Sequence, residues 1–239
     1  MIDVAIPVDR QQIHGKLLLP PSPGGPCPAL LFVHGWGDTQ RRNLGIGKRL
    51  TARGEVCLTF NLRGHAKTRA QRDTVTRGQN LRDVVAAYDV LAARAEVDGD
   101  RIGVVGSSYG GYLATLLSTE RTVRWLALQA PALYMDADFE RPKRALNLDP
   151  ELASYRRRRL EPADNNVLAA AARFGGNVLV VESEHDTVIP HEVVANYLRA
   201  FGAATDLRHE VLAGADHGLS SEAWRREWGA LLVDWVAKQ

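Results

Sequence analysis

Short apolar runs alternate with segments of helical period along most of this chain, and this alternation constrains the fold more than any other feature. Six compact runs have the length and composition of strands that are buried on both faces. They are residues 29–33, 56–60, 102–105, 125–128, 178–181 and 207–212. The segments between them repeat apolar residues with the period of a helix, as in residues 81–91 and 193–201. This order predicts an α/β fold with a parallel sheet.

The two ends of the chain add an antiparallel start and a closing helix. Residues 3–8 and 13–19 read as two strands, and the polar residues 9–12 between them predict a hairpin. A proline-rich linker over residues 20–28 follows. From Ser220 onward the apolar side chains share one face of a predicted amphipathic helix, with Ser220 or Ser221 as the N-cap. Those side chains are Trp224, Trp228, Leu231, Leu232 and Trp235.

Residues 131–166 interrupt the rhythm of strands and helices with mixed charges and several prolines. This interval is too short for an independent domain. We therefore predict one domain over residues 1–239, with residues 131–166 as a small lid or cap over the edge of the sheet. The basic run from Arg156 to Arg159 is typical of a solvated face, and the alternative is an attraction for an acidic substrate if the run faces the site.

Composition excludes several partners. The chain has 239 residues and a net charge of +2, which is too small to indicate binding to nucleic acid or to an anionic membrane. Two cysteines, Cys27 and Cys57, do not form a secreted disulfide framework. The first residues show no targeting signal, and no apolar stretch is long enough to span a membrane. We expect a soluble cytoplasmic protein, and the sequence leaves its oligomeric state open.

A Gly-x-Ser-x-Gly pentapeptide lies at residues 106–110, between the apolar run 102–105 and a helical segment. A sharp turn from strand to helix forces its central residue into strained geometry and tolerates only very small residues two positions to either side. Gly106 and Gly110 meet that need. Ser108 would then stand above the sheet, at the positive end of the following helix. This setting makes Ser108 the candidate nucleophile.

A serine hydroxyl needs a base, and the base needs a carboxylate to orient it. His217 lies in a glycine-bounded loop between the last predicted strand and the closing helix, which makes it the candidate base. Asp186 follows the run 178–181 and is the candidate acid, with Glu182 and Glu184 as rivals. Asp216 is adjacent to His217, and this position makes it a poor orienter.

Two backbone N–H groups are needed for an oxyanion hole. We expect them from Tyr109, which follows the nucleophile, and from Trp36 in the loop after residues 29–33. Trp36, Tyr112 and Tyr134 are candidates for the substrate pocket, although core packing is as good a role for the two tyrosines. The Gly35-x-Gly37 loop imitates a dinucleotide fingerprint, but Gln40 stands where the third glycine belongs, so a nucleotide site is not expected.

Five motifs in chain order resemble the α/β-hydrolase superfamily. They are HGWGD after the third strand, NLRGH after the fourth, GSSYGGYLA after the fifth, HDTVIP after the seventh and GADHG after the eighth. The resemblance implies an eight-stranded, mostly parallel sheet with an antiparallel second strand, a triad of Ser108, Asp186 and His217, and neither cofactor nor metal. The stretch from Ser108 is most similar to prolyl-oligopeptidase-type peptidases and to related small esterases.

The chain departs from that pattern in two places. The superfamily's Asp-x-Arg-Gly-His-Gly appears here with Asn61 and Ala66 in place of the carboxylate and the last glycine, which puts the local loop geometry in question. Only about thirty residues precede the first buried strand, so the β-propeller of the oligopeptidases is not expected.

Three functions fit these observations. The first is hydrolysis of small carboxylic esters through an acyl-enzyme, and the second is amide or peptide cleavage on the same residues. The third is a non-catalytic binding module that retains the fold. A small ester or amide is the expected partner of either enzyme.

Overall fold

In a computed structural model that describes residues 1–21 and 25–239, a single sheet contains all eight strands. The strands lie in the order β1-β2-β4-β3-β5-β6-β7-β8. Their bounds are β1 Ile2–Val8, β2 Gln11–Leu18, β3 Cys27–Val33, β4 Val56–Phe60, β5 Val97–Ser107, β6 Trp125–Gln129, β7 Asn177–Ser183 and β8 Asp206–Leu212. Strand β2 is antiparallel to both of its neighbours, and every other pair is parallel. The predicted α/β-hydrolase fold with an antiparallel second strand is confirmed.

Burial explains why the apolar runs form the centre of the sheet. All five residues of β4 and of β6 are buried, because helices cover both faces there. Strand β8 lies at the edge and exposes alternate residues, including Val211, which accounts for its weaker apolar pattern.

Several strand boundaries differ from the sequence prediction, most of all in β5 and in the hairpin. Strand β5 begins at Val97 rather than Ile102, since Val97 pairs with Cys27 beyond a register shift. The hairpin turn is Asp9 and Arg10 alone, because Gln11 and Gln12 already pair with β1. Residues 22–24 of the predicted linker lie outside the described residues.

Eight α-helices of the described residues flank the sheet. They are α1 Arg41–Thr51, α2 Arg77–Ala92, α3 Tyr109–Leu117, α4 Lys143–Asn147, α5 Pro150–Tyr155, α6 Asn166–Arg173, α7 His191–Ala200 and α8 Glu222–Val236. One core cluster joins α2, α3, α6 and α7 to one face of the sheet, and a second joins α1 and α8 to the other. None of the helices described is long and apolar enough to cross a membrane.

Helix α8 forms where the tryptophan pattern predicts it. Ser221 is its N-cap, and the Ser221 hydroxyl accepts a hydrogen bond from the Ala223 N–H at 3.2 Å. Trp228, Leu232 and Trp235 are buried against the sheet. This arrangement places the loop that carries His217, between β8 and α8, at the end of the sheet where β5 and β7 also finish.

Candidate active site

Ser108 occupies a strained turn between β5 and α3. Its φ of 51° and ψ of −115° lie outside the regions that residues with a side chain normally adopt. A Cβ on Gly106 would lie 2.5 Å from the Gly110 carbonyl oxygen, and one on Gly110 would lie 2.1 Å from the Val33 carbonyl oxygen. Both positions therefore require glycine. The strain is supported by neighbouring structure, since the Ser108 N–H donates to the Gln129 carbonyl at 2.8 Å.

A chain of hydrogen bonds joins Ser108, His217 and Asp186. The distance between Ser108 Oγ and His217 Nε2 is 3.0 Å, and that between His217 Nδ1 and Asp186 Oδ2 is 2.7 Å. The other carboxylate oxygen of Asp186 accepts N–H groups from Val188 at 2.8 Å and Ile189 at 2.7 Å. An ionised Asp186 can only accept, so His217 donates through Nδ1 and presents Nε2 as an acceptor to the serine hydroxyl.

The rival carboxylates are engaged elsewhere. Glu182 contacts His191 and His209, and Glu184 accepts the Gly214 N–H at 2.6 Å. Asp216 accepts the Ser220 N–H at 2.9 Å. The hydrogen bonds that Ser220 donates are the main cause that lowers the pKa of Asp216. Among the described residues, Asp186 is therefore the carboxylate that contacts the His217 ring.

Two backbone N–H groups beside Ser108 lack acceptors among the described residues. Tyr109 is the first residue of α3, so its N–H has no intrahelical partner. The Trp36 N–H also has none. The loop that carries Trp36 lies against the turn, since a Cβ on Gly35 would lie 3.5 Å from the Ser108 Cβ. Two free donors near a serine hydroxyl can stabilise a developing oxyanion.

Two buried histidines, which the sequence interpretation did not assign a role, hold the Trp36 loop. His34 Nε2 accepts the Leu62 N–H at 3.1 Å, so the Nδ1 carries the proton and donates to the Gly35 carbonyl at 2.8 Å. His65 Nε2 likewise accepts the Gly37 N–H at 3.1 Å. Burial lowers the pKa of His34 to about 4 and is the largest cause that lowers the pKa of His65 to about 3. Both rings are therefore neutral near pH 7.

Asn61 and Ala66, the two departures from the superfamily pattern, both lie in the loop after β4. Asn61 Oδ1 accepts the Gln40 N–H at 3.0 Å, a role that a carboxylate would also fill. Ala66 has a φ of 48°, the left-handed conformation that favours glycine. Between them Arg63 is buried and pairs with Asp83 at 2.6 Å. Burial raises the pKa of Asp83 to about 6, and the Arg63 charge opposes that effect.

A cleft of about 400 Å³ opens beside Ser108. Its lining includes Trp36, Asp38, Arg42 and His217. Tyr112 and Tyr134, which the sequence suggested for the pocket, do not line this cleft: both are buried in the core. The reason is that their rings pack against Tyr109, with centroids 6.2 Å and 5.9 Å from it. Of the three predicted pocket residues, only Trp36 lies in the cleft.

Lys143 accounts for part of that aromatic packing. Its buried ammonium lies 4.4 Å from the ring centre of Tyr134, 4.8 Å from that of Tyr109 and 5.1 Å from that of Trp36. Such distances are typical of cation–π contacts. Burial opposes ionisation of the Tyr134 phenol, but the charges of Lys143 and Arg156 outweigh it and lower the pKa. Trp36 is thus held from the core side, and Arg72 lies 5.0 Å from its ring centre.

The interval 131–166 supplies Lys143 but none of the residues that line the cleft. It consists of short helices and turns, and the Lys143 N–H donates to the Val75 carbonyl at 2.8 Å. The segment packs beside Trp36 through Lys143, and its role as a small lid or cap over the edge of the sheet stays a prediction. Its basic run is divided: Arg156 is buried and donates to the carbonyls of Leu133 and Val188, whereas residues 157–159 are exposed.

Comparison with known proteins gives a family and a fold. Residues 47–239 match the model of the prolyl oligopeptidase family. Dipeptidyl-peptidase 5 of Porphyromonas gingivalis is 46% identical over 55 residues, which are 23% of this chain and 8% of that protein. The chain thus covers a small part of that curated relative.

Solved structures share the architecture at low identity. Dienelactone hydrolase from Anabaena variabilis is 19% identical with a TM-score of 0.70, covering 99% of this chain and 96% of that one. The esterase domain of a Rhodothermus marinus protein is 20% identical with a TM-score of 0.71, covering 99% of this chain and 98% of that one. At these identities the likeness shows the fold alone.

Proposed function

The chain belongs to the prolyl oligopeptidase family of hydrolases, and on that premise we propose that it hydrolyses small carboxylic esters with Ser108 as nucleophile. The observation that carries the proposal is the continuous hydrogen-bond chain from Ser108 Oγ through His217 to Asp186. In the first step His217 Nε2 takes the hydroxyl proton while Ser108 Oγ attacks the ester carbonyl carbon. Asp186 stabilises the imidazolium that results.

The remaining steps follow from the same groups. The tetrahedral oxyanion accepts hydrogen bonds from the N–H groups of Trp36 and Tyr109, each contributing about 3 kcal/mol. As the intermediate collapses, the bond to the alcohol oxygen breaks and His217 returns the proton to that oxygen. Water then attacks the acyl-enzyme, His217 accepts its proton, and the acid leaves as Ser108 regains its hydrogen.

The shape of the cleft favours short acyl groups. The space beneath Trp36 is filled by Lys143 and the tyrosine rings, so within the described residues no deep apolar pocket continues from the cleft into the core. A short acyl chain can fit the open volume of about 400 Å³. A long chain would lie exposed along its rim. We therefore propose acetyl to butyryl esters as the substrate class.

Amide or peptide cleavage is the second candidate, because the family and the curated relative include peptidases. The ammonium group of a peptide amino terminus is stabilised in a binding site by an unpaired carboxylate. The only carboxylate that lines the cleft in the described part of the chain is Asp38, and it pairs with Arg42 at 3.3 Å. This pairing favours esters over peptides with a free amino terminus.

Rates with p-nitrophenyl esters of increasing acyl length, set beside aminoacyl p-nitroanilides, test the proposal. We expect kcat/KM to be highest for acetate to butyrate, to fall for octanoate, and to be lower for every anilide. A higher kcat/KM for the anilides would favour peptide cleavage over ester hydrolysis. The absence of any turnover by the folded chain would favour a non-catalytic binding module.

A further inference from the structure

A second cavity, of about 610 Å³, lies where β2, the start of α1 and the loop after β4 meet. None of the residues that line it also lines the cleft at Ser108. Its volume is in the range of small-molecule binding sites. It is larger than the cleft and has no role in the proposed hydrolysis.

Cationic side chains dominate the charge of this cavity. Lys16, Arg41 and Lys67 line it together with one carboxylate, that of Asp3. Asp3 pairs with Lys16, and the hydrogen bond to Lys16 is the main cause of its lowered pKa, to which the charge of Lys67 adds. The side chains of Arg41 and Lys67 make no hydrogen bond or ion pair among the described residues. The cavity therefore carries uncompensated positive charge.

Asn61 adds a directed donor to the wall. Its Oδ1 faces the Gln40 N–H, which can only donate, so the orientation of the amide is fixed by that bond. The Nδ2 group then has no acceptor within the described ranges, and it is not among the buried polar atoms. Because Asn61 lines the cavity, this NH₂ group remains available to an acceptor bound there.

From these three observations we propose that the cavity binds a small organic molecule carrying an oxyanion, either a carboxylate or a phosphate. The oxyanion would accept from Asn61 Nδ2 and be neutralised by Lys67 and Arg41. Ile13 and Leu44 provide apolar walls for the body of the molecule. The proposal does not depend on Ser108 chemistry.

Calorimetric titration in a low-salt amine buffer tests this site, with phenyl phosphate, benzoate and benzyl alcohol as probes. We expect at least one oxyanion to bind with a Kd of about 1 mM or tighter, and the uncharged alcohol to bind at least about tenfold more weakly. Tighter binding of phenyl phosphate assigns the site to phosphate, and tighter binding of benzoate assigns it to carboxylate. Failure of both oxyanions to bind would overturn the proposal.

Asn61→Asp locates the binding, because it keeps the acceptor for the Gln40 N–H and replaces the free donor with a charge. We expect it to weaken oxyanion binding by about tenfold or more. Asn166→Asp makes the same charge change at an exposed position of α6, outside the cavity, and should leave the Kd unchanged. Equal binding by the two variants would place the anion elsewhere and overturn the proposal.

Lys67→Ala keeps the site testable if Asn61→Asp does not fold, since the Lys67 side chain is exposed and makes no hydrogen bond or ion pair in the described part of the chain. It should weaken binding by about fivefold. Lys48→Ala, which removes an exposed lysine of α1 that does not line the cavity, should have no effect. A Kd that is identical in the two lysine variants contradicts the proposed site. Repeating the titration in Ser108→Ala separates this result from the hydrolase proposal.

Discussion

His217 and the pair formed by His34 and His65 belong to the same site, but the protein holds them in different ways. His217 bonds a carboxylate through Nδ1 and a hydroxyl through Nε2, and its side chain is 21% exposed. His34 and His65 accept backbone N–H groups through Nε2 and are almost fully buried. The partner of each ring therefore decides its role: His217 can exchange a proton, while the other two fix a loop.

Removing the His217 ring, which can exchange a proton, should have the largest effect. His217→Ala removes the proposed base, so we expect kcat/KM for p-nitrophenyl acetate to fall by about 10⁵-fold. The unfolding free energy should change by less than about 1 kcal/mol, because the ring lies at the surface of the cleft. Steady-state kinetics and urea unfolding measure the two quantities. A variant that retains a tenth of the native rate would contradict the role of His217.

Replacing the carboxylate tests which residue orients the His217 ring. Asp186→Asn preserves the size of the side chain but no longer fixes the tautomer, so kcat should fall by about 10⁴-fold. Glu184→Gln is the matched control, since Glu184 bonds the Gly214 N–H instead of the ring, and it should keep nearly full activity. A reversal of these two results would assign the acid to Glu184.

Replacing a histidine that holds the loop should lower the stability of the fold. His34→Ala leaves the buried Leu62 N–H without an acceptor, so we expect a loss of about 2–4 kcal/mol in the free energy of unfolding. His185→Ala changes an exposed histidine and should be neutral. Urea titration followed by circular dichroism gives both values. An unaltered unfolding free energy in His34→Ala would show that the ring does not support the loop.

The pH dependence of stability follows from the same two rings. Their pKa values in the fold, about 4 for His34 and about 3 for His65, lie below the value of about 6.5 expected in the unfolded chain. Below about pH 6.5 the unfolded chain binds protons that the folded chain does not, so stability decreases as pH falls. Each ring should account for about 2 kcal/mol between pH 7.5 and pH 5.

His65→Gln isolates the contribution of His65 to the pH dependence of stability, because glutamine retains an acceptor and does not titrate. The variant should lose less stability than the native protein between pH 7.5 and pH 5, by about 2 kcal/mol. Urea unfolding at the two pH values provides the comparison. Parallel losses in both proteins would mean that His65 titrates normally in the fold.

The smallest expected effect concerns the residue after His65. Ala66 adopts a positive φ, and Ala66→Gly should relieve that strain and stabilise the fold by up to about 1 kcal/mol. Ala52→Gly is the control, since Ala52 is also exposed but has a φ of −66°. It should destabilise by about 0.5–1 kcal/mol. Thermal unfolding that shows the same sign for both variants would argue against strain at Ala66.

The sequence could predict the residues of the triad but not the roles of His34 and His65. Ser108, Asp186 and His217 follow strands of one parallel sheet, and such strand ends meet at one edge, so motif order was enough to place them together. His34 and His65 gave no comparable signal, because their partners are backbone groups of distant loops. Their positions inside the HGWGD and NLRGH motifs were the available clue.

Other features depended on side-chain packing that the periodicity of a sequence does not determine. The apolar patterns around Tyr112 and Tyr134 fit a pocket or a core equally well. Packing against the Tyr109 ring, which the sequence pattern does not show, places both side chains in the core. The cavity beside Asn61 is likewise formed by residues from four separate segments. Only their arrangement in three dimensions brings them together.

In the proposed mechanism His217 activates the Ser108 hydroxyl, while His34 and His65 only hold the adjacent loop. The rate of covalent labelling by a fluorophosphonate probe distinguishes these roles when it is measured in the native protein, Ser108→Ala, His217→Ala and His65→Gln. We expect the native protein to label at a single site and Ser108→Ala not to label. His217→Ala should label at least about 10³-fold more slowly than the native protein, whereas the labelling rate of His65→Gln should stay within about tenfold of the native rate. Absence of labelling in the folded native protein, or equal labelling of native and His217→Ala, would contradict the role of His217 as the base that activates Ser108.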